Sequence, residues 1–271
     1  IGPAASFITD DLIARADKLF DAAERAVADE PETLERVRIA RMSVDYTAIE
    51  RQRRSFGMRS AFKLDHRNFA VLVQPELRGR IDRFFQVAER SRLERLGEGG
   101  PLLADYKRDL LKALPESGHY EPMDALKGGQ PKPGLRCEYY EATLEKLPDF
   151  ASLTPAAVSV TDRISLAPAL REDGFALRFI GQIHAPRDGV YAFTLRSNDG
   201  SRLLIHDKVV VDNDGLHKTE SRIGFVALRA GWHPITVEYF ESGGAEDLGL
   251  NWLGPDIQDQ PVPAEALGHT E

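Results

Sequence analysis

The stretch FALRFIGQIHAPRDGVYAFTLRSNDG, residues 175–200, decides the fold. Phe175, Leu177, Phe179, Gly181 and Ile183 alternate with Ala176, Arg178, Ile180, Gln182 and His184. Tyr191, Phe193 and Leu195 alternate in the same way with Ala192, Thr194 and Arg196. A period of two marks a half-buried strand, because successive side chains leave opposite faces of a sheet. Arg187-Asp188-Gly189 and Asn198-Asp199-Gly200 carry turn chemistry and predict hairpin turns, the second with residues that tolerate positive φ. Further along, Ile235, Val237 and Tyr239 alternate with Thr236, Glu238 and Phe240. More turn signals stand at Asp212-Asn213-Asp214-Gly215, Ala230-Gly231 and Ser242-Gly243-Gly244. Upstream, Leu135 to Tyr140 reads as a strand in which Cys137 is a small buried residue. Short strands, regular turns and no helical period predict an antiparallel β-sandwich over residues 134–271.

The first ~110 residues have helical spacing instead. Thr9 is placed to cap a helix with Leu12, Ala16, Leu19, Phe20, Ala23 and Val27 on its inner face. Pro31 suits the first turn of a second helix, striped by Leu34, Val37, Ala40 and Val44. Pro75 opens a third, with Leu77, Ile81, Phe84, Phe85 and Ala88 inward, and Pro101 a short fourth with Tyr106, Leu110 and Leu114. The glycines and prolines of residues 115–133, from Pro115 to Pro133, predict a linker. The expected class is therefore α+β multidomain: a helical bundle over 1–114, a Pro/Gly linker over 115–133, and the sandwich.

Composition narrows the function. In 271 residues, 35 Lys and Arg face 43 Asp and Glu, a net charge of −8. Such a chain is a poor general nucleic-acid binder, because the phosphate backbone rewards surplus cations. Arg51, Arg53 and Arg54 read as a solvated helix end rather than an anion patch. No apolar run approaches the ~18–20 residues that span a bilayer. The lone cysteine excludes an internal disulfide. The seven histidines never stand at i, i+4, and neither nucleophile elbow, H-E-x-x-H, P-loop nor G-x-G-x-x-G occurs. No catalytic residue is assigned, although 43 acidic residues leave a glycosidase carboxylate pair open. The chain opens at Ile1 without Met or signal peptide and reads as a processed chain or a piece of a longer one.

Four stretches, in order, resemble the protective-antigen fourteen-kilodalton domain family. They are Gly134-Leu135 through Tyr139-Tyr140, Pro186-Arg187-Asp188-Gly189-Val190-Tyr191-Ala192-Phe193, Ser197-Asn198-Asp199-Gly200-Ser201-Arg202-Leu203 with Val210-Val211-Asp212-Asn213, and Ala230-Gly231-Trp232 through Tyr239-Phe240-Glu241. Leu250-Asn251-Trp252 and Pro261-Val262-Pro263 close the likeness. The resemblance implies a β-sandwich with a glycan-binding role. In calcium-dependent members, two adjacent aspartates hold a calcium ion that also touches sugar hydroxyls. The matching positions here are Asn198 and Asp199, so one carboxylate is lost. Calcium affinity depends on carboxylate count, which makes calcium a doubtful cofactor. The helical half weakly resembles the helical tail of large bacterial glycan-degradation proteins, where it follows a catalytic-like barrel.

The expected function is thus non-catalytic: carbohydrate recognition in a larger secreted or periplasmic bacterial protein, beside an upstream catalytic-like domain. Asn198, Asp199, Glu241 and Ser242 would bond sugar hydroxyls, and Trp232, after a turn glycine, would offer a ring face. Asp199 and Asn198 are also the candidate metal ligands. A module that only braces a catalytic domain, and a glycosidase acting through a carboxylate pair, are the alternatives.

Overall fold

The computed structural model describes residues 8–54, 62–97, 99–114 and 117–270. Pro115 and the Arg54 side chain, both part of the sequence reading, lie outside the described residues. The described residues divide into two compact units: one runs to Lys63 and resumes at Val73 as far as Leu114; the other joins Leu64–Leu72 to the residues from Ser117 on.

The first unit contains α1 (Asp10–Ala26), α2 (Pro31–Arg54), α3 (Pro75–Arg90) and α4 (Leu103–Ala113). Thr9 caps α1, its hydroxyl accepting from the Leu12 amide at 3.1 Å. The inner stripe of α1 differs from the expected one. Ala16, Phe20, Ala23 and Val27 are half-buried as expected, but Leu12 and Leu19 are 44% and 72% exposed, and Ile13, Asp17 and Glu24 are half-buried in their place. The reason is electrostatic. Arg41 of α2 is buried and meets Asp17 at 3.2 Å, Asp21 at 2.7 Å and Glu24 at 2.8 Å. Arg80 of α3 bonds Asp17 and, at 2.9 Å, Asp45. Arg83 grips Asp45 with two bonds of 2.9 and 2.6 Å. A buried guanidinium without carboxylates costs several kcal/mol, so α1 turns its acidic stripe inward. Burial raises the Asp17 carboxyl, but Arg80 and Arg41 outweigh it and hold the group below its ordinary value. The stripe of α2 is partly ionic for the same reason: Arg41 and Asp45 are buried, as are Ala48 and Ile49, and Leu34, Val37 and Val44 are half-buried while Ala40 is exposed. α3 buries the five expected residues together with Val87. Phe84, Phe85, Tyr46 and Tyr106 form an aromatic cluster with centroids 5.1 to 6.4 Å apart.

The strands in chain order are β1 (Phe62–Asp65), β2 (Ala70–Val73), β3 (Gly118–His119), β4 (Lys132–Pro133), β5 (Leu135–Glu141), β6 (Ala157–Thr161), β7 (Phe175–Ala185) and β8 (Gly189–Asn198). They continue with β9 (Ser201–Ile205), β10 (Lys208–Asn213), β11 (Glu220–Leu228), β12 (Gly231–Glu241), β13 (Asp247–Gly254), β14 (Ile257–Pro261) and β15 (Leu267–His269). One sandwich sheet runs β10-β9-β12-β7-β15-β4, with β5 also paired to β7 and β6 to β5. The other runs β11-β8-β13-β14. The alternation read from sequence packs between them: Phe175, Leu177, Phe179, Tyr191, Phe193, Leu195, Ile235, Val237 and Tyr239 share one buried cluster with Cys137 and Trp252. Burial pushes the Cys137 thiol up to about 12, which leaves it without nucleophilic character.

The outer face of the larger sheet is a charge ladder. Glu138 pairs with Arg178, Arg178 with Glu238, Glu238 with Arg202, and Arg202 with Asp212, one residue from each of five adjacent strands. Opposite charges directly across a ladder are mutually stabilising. Beside it, Tyr140, Phe150, Ala176 and Phe240 make a second small cluster. Phe240, outward by alternation, is therefore fully buried.

Two expectations are revised. The turns at 186–188 and 198–200 are not hairpins, because they carry the chain from one sheet to the other, as do the turns at 214–219, 229–230 and 242–246. The expected linker is bound to its unit: Met123 N–H donates to Ala227 at 2.9 Å, Leu126 N–H to Trp232 at 2.8 Å, and Tyr120 N–H to Phe69 at 2.7 Å, while β4 pairs with β15. At one sandwich edge the two sheets nearly touch. A Cβ on Gly224 of β11 would lie 1.8 Å from the Val210 carbonyl oxygen, where the β9–β10 register shifts.

Candidate functional site

Three crossovers, 198–200, 214–219 and 242–246, come together at one end of the sandwich, and Asp199 ties them. Its Oδ1 accepts from the His217 amide at 3.2 Å and its Oδ2 from the Ser242 amide at 3.1 Å. The segment between β5 and β7 closes the cluster. Gly244 N–H donates to Asp173 Oδ1 at 3.1 Å, and Leu147 N–H to Asp214 Oδ1 at 2.8 Å. The Asn198–Asp199 peptide is cis, and neither residue has positive φ, contrary to the turn expected there. A side chain on Gly200 would meet Phe240 at 2.4 Å and the Gly215 amide at 2.8 Å, so the crossover packs only as glycine.

Asp199 is 6% exposed and Glu241 fully buried. The Tyr239 hydroxyl lies 2.7 Å from the Asn198 carbonyl and 3.0 Å from Glu241 Oε2. A hydroxyl has one proton and a carbonyl can only accept. The Tyr239 hydroxyl therefore has two acceptors within reach and one proton to give. Glu241 Oε1 has no hydrogen-bond partner, which a neutral acid tolerates far better than a carboxylate. Burial raises the Glu241 group above its ordinary value; Asp199 and Glu246 add to this, and the Tyr239 hydroxyl and Gly243 amide oppose it.

Asn198, Asp199, Glu241 and Ser242 therefore meet at one end as read from sequence. Asn198 and Ser242 are half-buried, and Gly243 to Glu246 are exposed. Trp232 does not join them. It stands nine residues before Glu241 on the same strand, about 30 Å away at ~3.3 Å per residue. There its ring packs on His184, with centroids 4.9 Å apart. Tyr239, His217 and Asp173 were not legible as site residues. Alternation assigns Tyr239 to the core, and nothing local signals where its hydroxyl ends.

The donor set is short of charge for the calcium ion that the resemblance implies. Both Asp199 oxygens already accept amide hydrogens, Asn198 brings no charge, and among the described residues no three His, Cys, Asp or Glu side chains are grouped to hold a metal. Millimolar calcium is expected to leave the Tm unchanged in a thermal-shift titration, since only a ligand of the native state raises it. Asp199→Ala, by contrast, strands two amide donors and is expected to cost about 2–4 kcal/mol in urea unfolding.

A family model described as the PA14 domain matches residues 131–266. The chain is 26% identical over 168 residues to an anti-sigma-I factor, RsgI3, of Acetivibrio thermocellus, covering 61% of this chain and 26% of the relative. Among solved structures, an anti-sigma factor domain-containing protein is 24% identical with a TM-score of 0.46, covering 55% of this chain and 52% of that one. A PA14 sugar-binding domain from an RTX adhesin is 17% identical with a TM-score of 0.45, covering 51% of this chain and 99% of that one. The chain thus spans about a quarter of the length of its curated relative.

Proposed function

The chain belongs to the PA14 domain family through residues 131–266, and from that premise we propose that its sandwich recognises glycan on behalf of a larger, secreted or periplasmic glycan-degrading bacterial protein. An upstream catalytic-like domain of that protein is the proposed partner. The observation that carries the reading is the loop cluster at the end of the sandwich. Asn198 and Ser242 stand at its half-buried base and Gly243 to Glu246 form its exposed rim. Asp199 and Glu241 act through position rather than contact: the first clamps the crossovers, and the second lies buried against Tyr239, whose hydroxyl ties β12 to the Asn198 carbonyl. Hydroxyl groups of a sugar exchange water bonds for bonds to amides and carboxylates of the rim, so the affinity of a single site is low. Binding to a glycan array, measured without calcium, tests the reading. At least one glycan should bind, and Ser242→Trp, which fills the rim, should abolish it.

A second reading has its own support. Asp199 and Glu241 are used up internally, as in a module that only braces a neighbour. No response to any glycan, with or without calcium, would select that reading.

A further inference from the structure

The helical unit holds a cleft of about 620 Å³ between α2 and α3, near the end of α1, within the range of small-molecule sites. Three guanidinium groups line it: Arg38, Arg83 and Arg90. Their commitments differ. Arg83 is spent on Asp45 through two short bonds. Arg38 makes one long bond, Nε to Glu24 Oε2 at 3.5 Å, to a carboxylate that Arg41 already holds at 2.8 Å. Arg90 reaches Glu35 only at 3.8 Å, beyond hydrogen-bond distance. Two arginines of one cleft therefore keep donors for a guest. Asp82, the other acid of the lining, is paired with Arg78 at 3.2 Å. The floor is open because position 79 is glycine, and a Cβ there would meet nothing within 4 Å.

We propose that this cleft binds an oxyanion (a carboxylate, sulfate ester or phosphate ester) carried on a small organic body, with Arg38 and Arg90 as its clamps and Arg83 at its base. The planar guanidinium fork matches the two oxygens of such a group. The body of the guest fills the space above Gly79 and Val87, and the Gln86 amide is available to a hydroxyl on it. This site lies wholly in the helical unit and does not depend on the sandwich binding glycan.

Calorimetric or NMR titration of the whole chain at 150 mM salt tests it. The probes are glucuronate, glucose 6-sulfate and glucose 6-phosphate, with glucose as the neutral control. Binding of one or more charged sugars with glucose inert supports the site, and the rank order identifies the oxyanion. Arg38→Met and Arg90→Met keep the apolar stem and should each weaken binding about tenfold. Gly79→Leu should abolish binding while leaving the helical circular dichroism and Tm at least as high, since leucine replaces a mid-helix glycine in open space. No binding of any charged probe overturns the proposal. So does equal binding of glucose, or full binding by the Gly79→Leu variant, which would mean diffuse surface pairing only.

Discussion

Gly224→Ala is expected to destabilise the sandwich by about 3 kcal/mol and lower its Tm by about 10 °C. The added methyl carbon would sit 1.8 Å from the Val210 oxygen and 2.6 Å from its carbonyl carbon. Both are backbone atoms, so no rotamer relieves the clash. β10 and β11 belong to different sheets and approach each other here, so relief means parting the two layers along one edge. Gly249→Ala is the control. It too lies in a strand, β13, but in open space, and its effect should stay within about 0.5 kcal/mol. Thermal unfolding of both variants decides the matter; equal shifts would deny the close approach.

Glu241→Gln is expected to reverse its effect with pH. The folded protein raises the Glu241 group above its ordinary value. Such a group contributes stability that is fully present below the pKa of the unfolded chain. That contribution is lost as pH rises through the folded value, because the unfolded chain then gains by ionising. Wild type should therefore lose stability as pH rises above ~4.5 through this group, and Gln, which keeps the bond to Tyr239 without a charge to bury, should not. The variant should melt above wild type at pH 8 and no higher at pH 4. Parallel Tm profiles would show that Glu241 does not hold a proton in the folded state.

The sandwich was legible because its strands are half-buried and its alternation is clean, as in Phe175 to Ile183. The family likeness rests on the same residues and agrees with the matched range 131–266. The helical half was legible as helices but not in its facing. Hydrophobic spacing pointed Leu19 inward, whereas the ion pairs of Arg41 and Arg80 decide the rotation of α1; the signal was the acidic stripe Asp17, Asp21 and Glu24, at i, i+4 and i+7. The two expected hairpins, at 186–188 and 198–200, are crossovers, because a turn signal says that the chain reverses, not which sheet it enters next. Phe62–Asp65 and Ala70–Val73 gave no strand signal, each being only four residues long. At the candidate site, Asn198, Asp199, Glu241 and Ser242 came together as read, but sequence carries no measure of depth. Hence Asp199 and Glu241, expected as contacts, are buried, and Trp232 lies at the far end of its strand.

The repeated passage of the chain between sheets has a kinetic consequence. β12 has β7 and β9 as neighbours, and β7 must also receive β5 and β15, so its partners come from both before and after it in the chain. Few of these contacts form locally. The search for them must close long loops before any bond repays the lost freedom, and refolding of this half should take milliseconds to seconds rather than the microseconds open to a helical bundle.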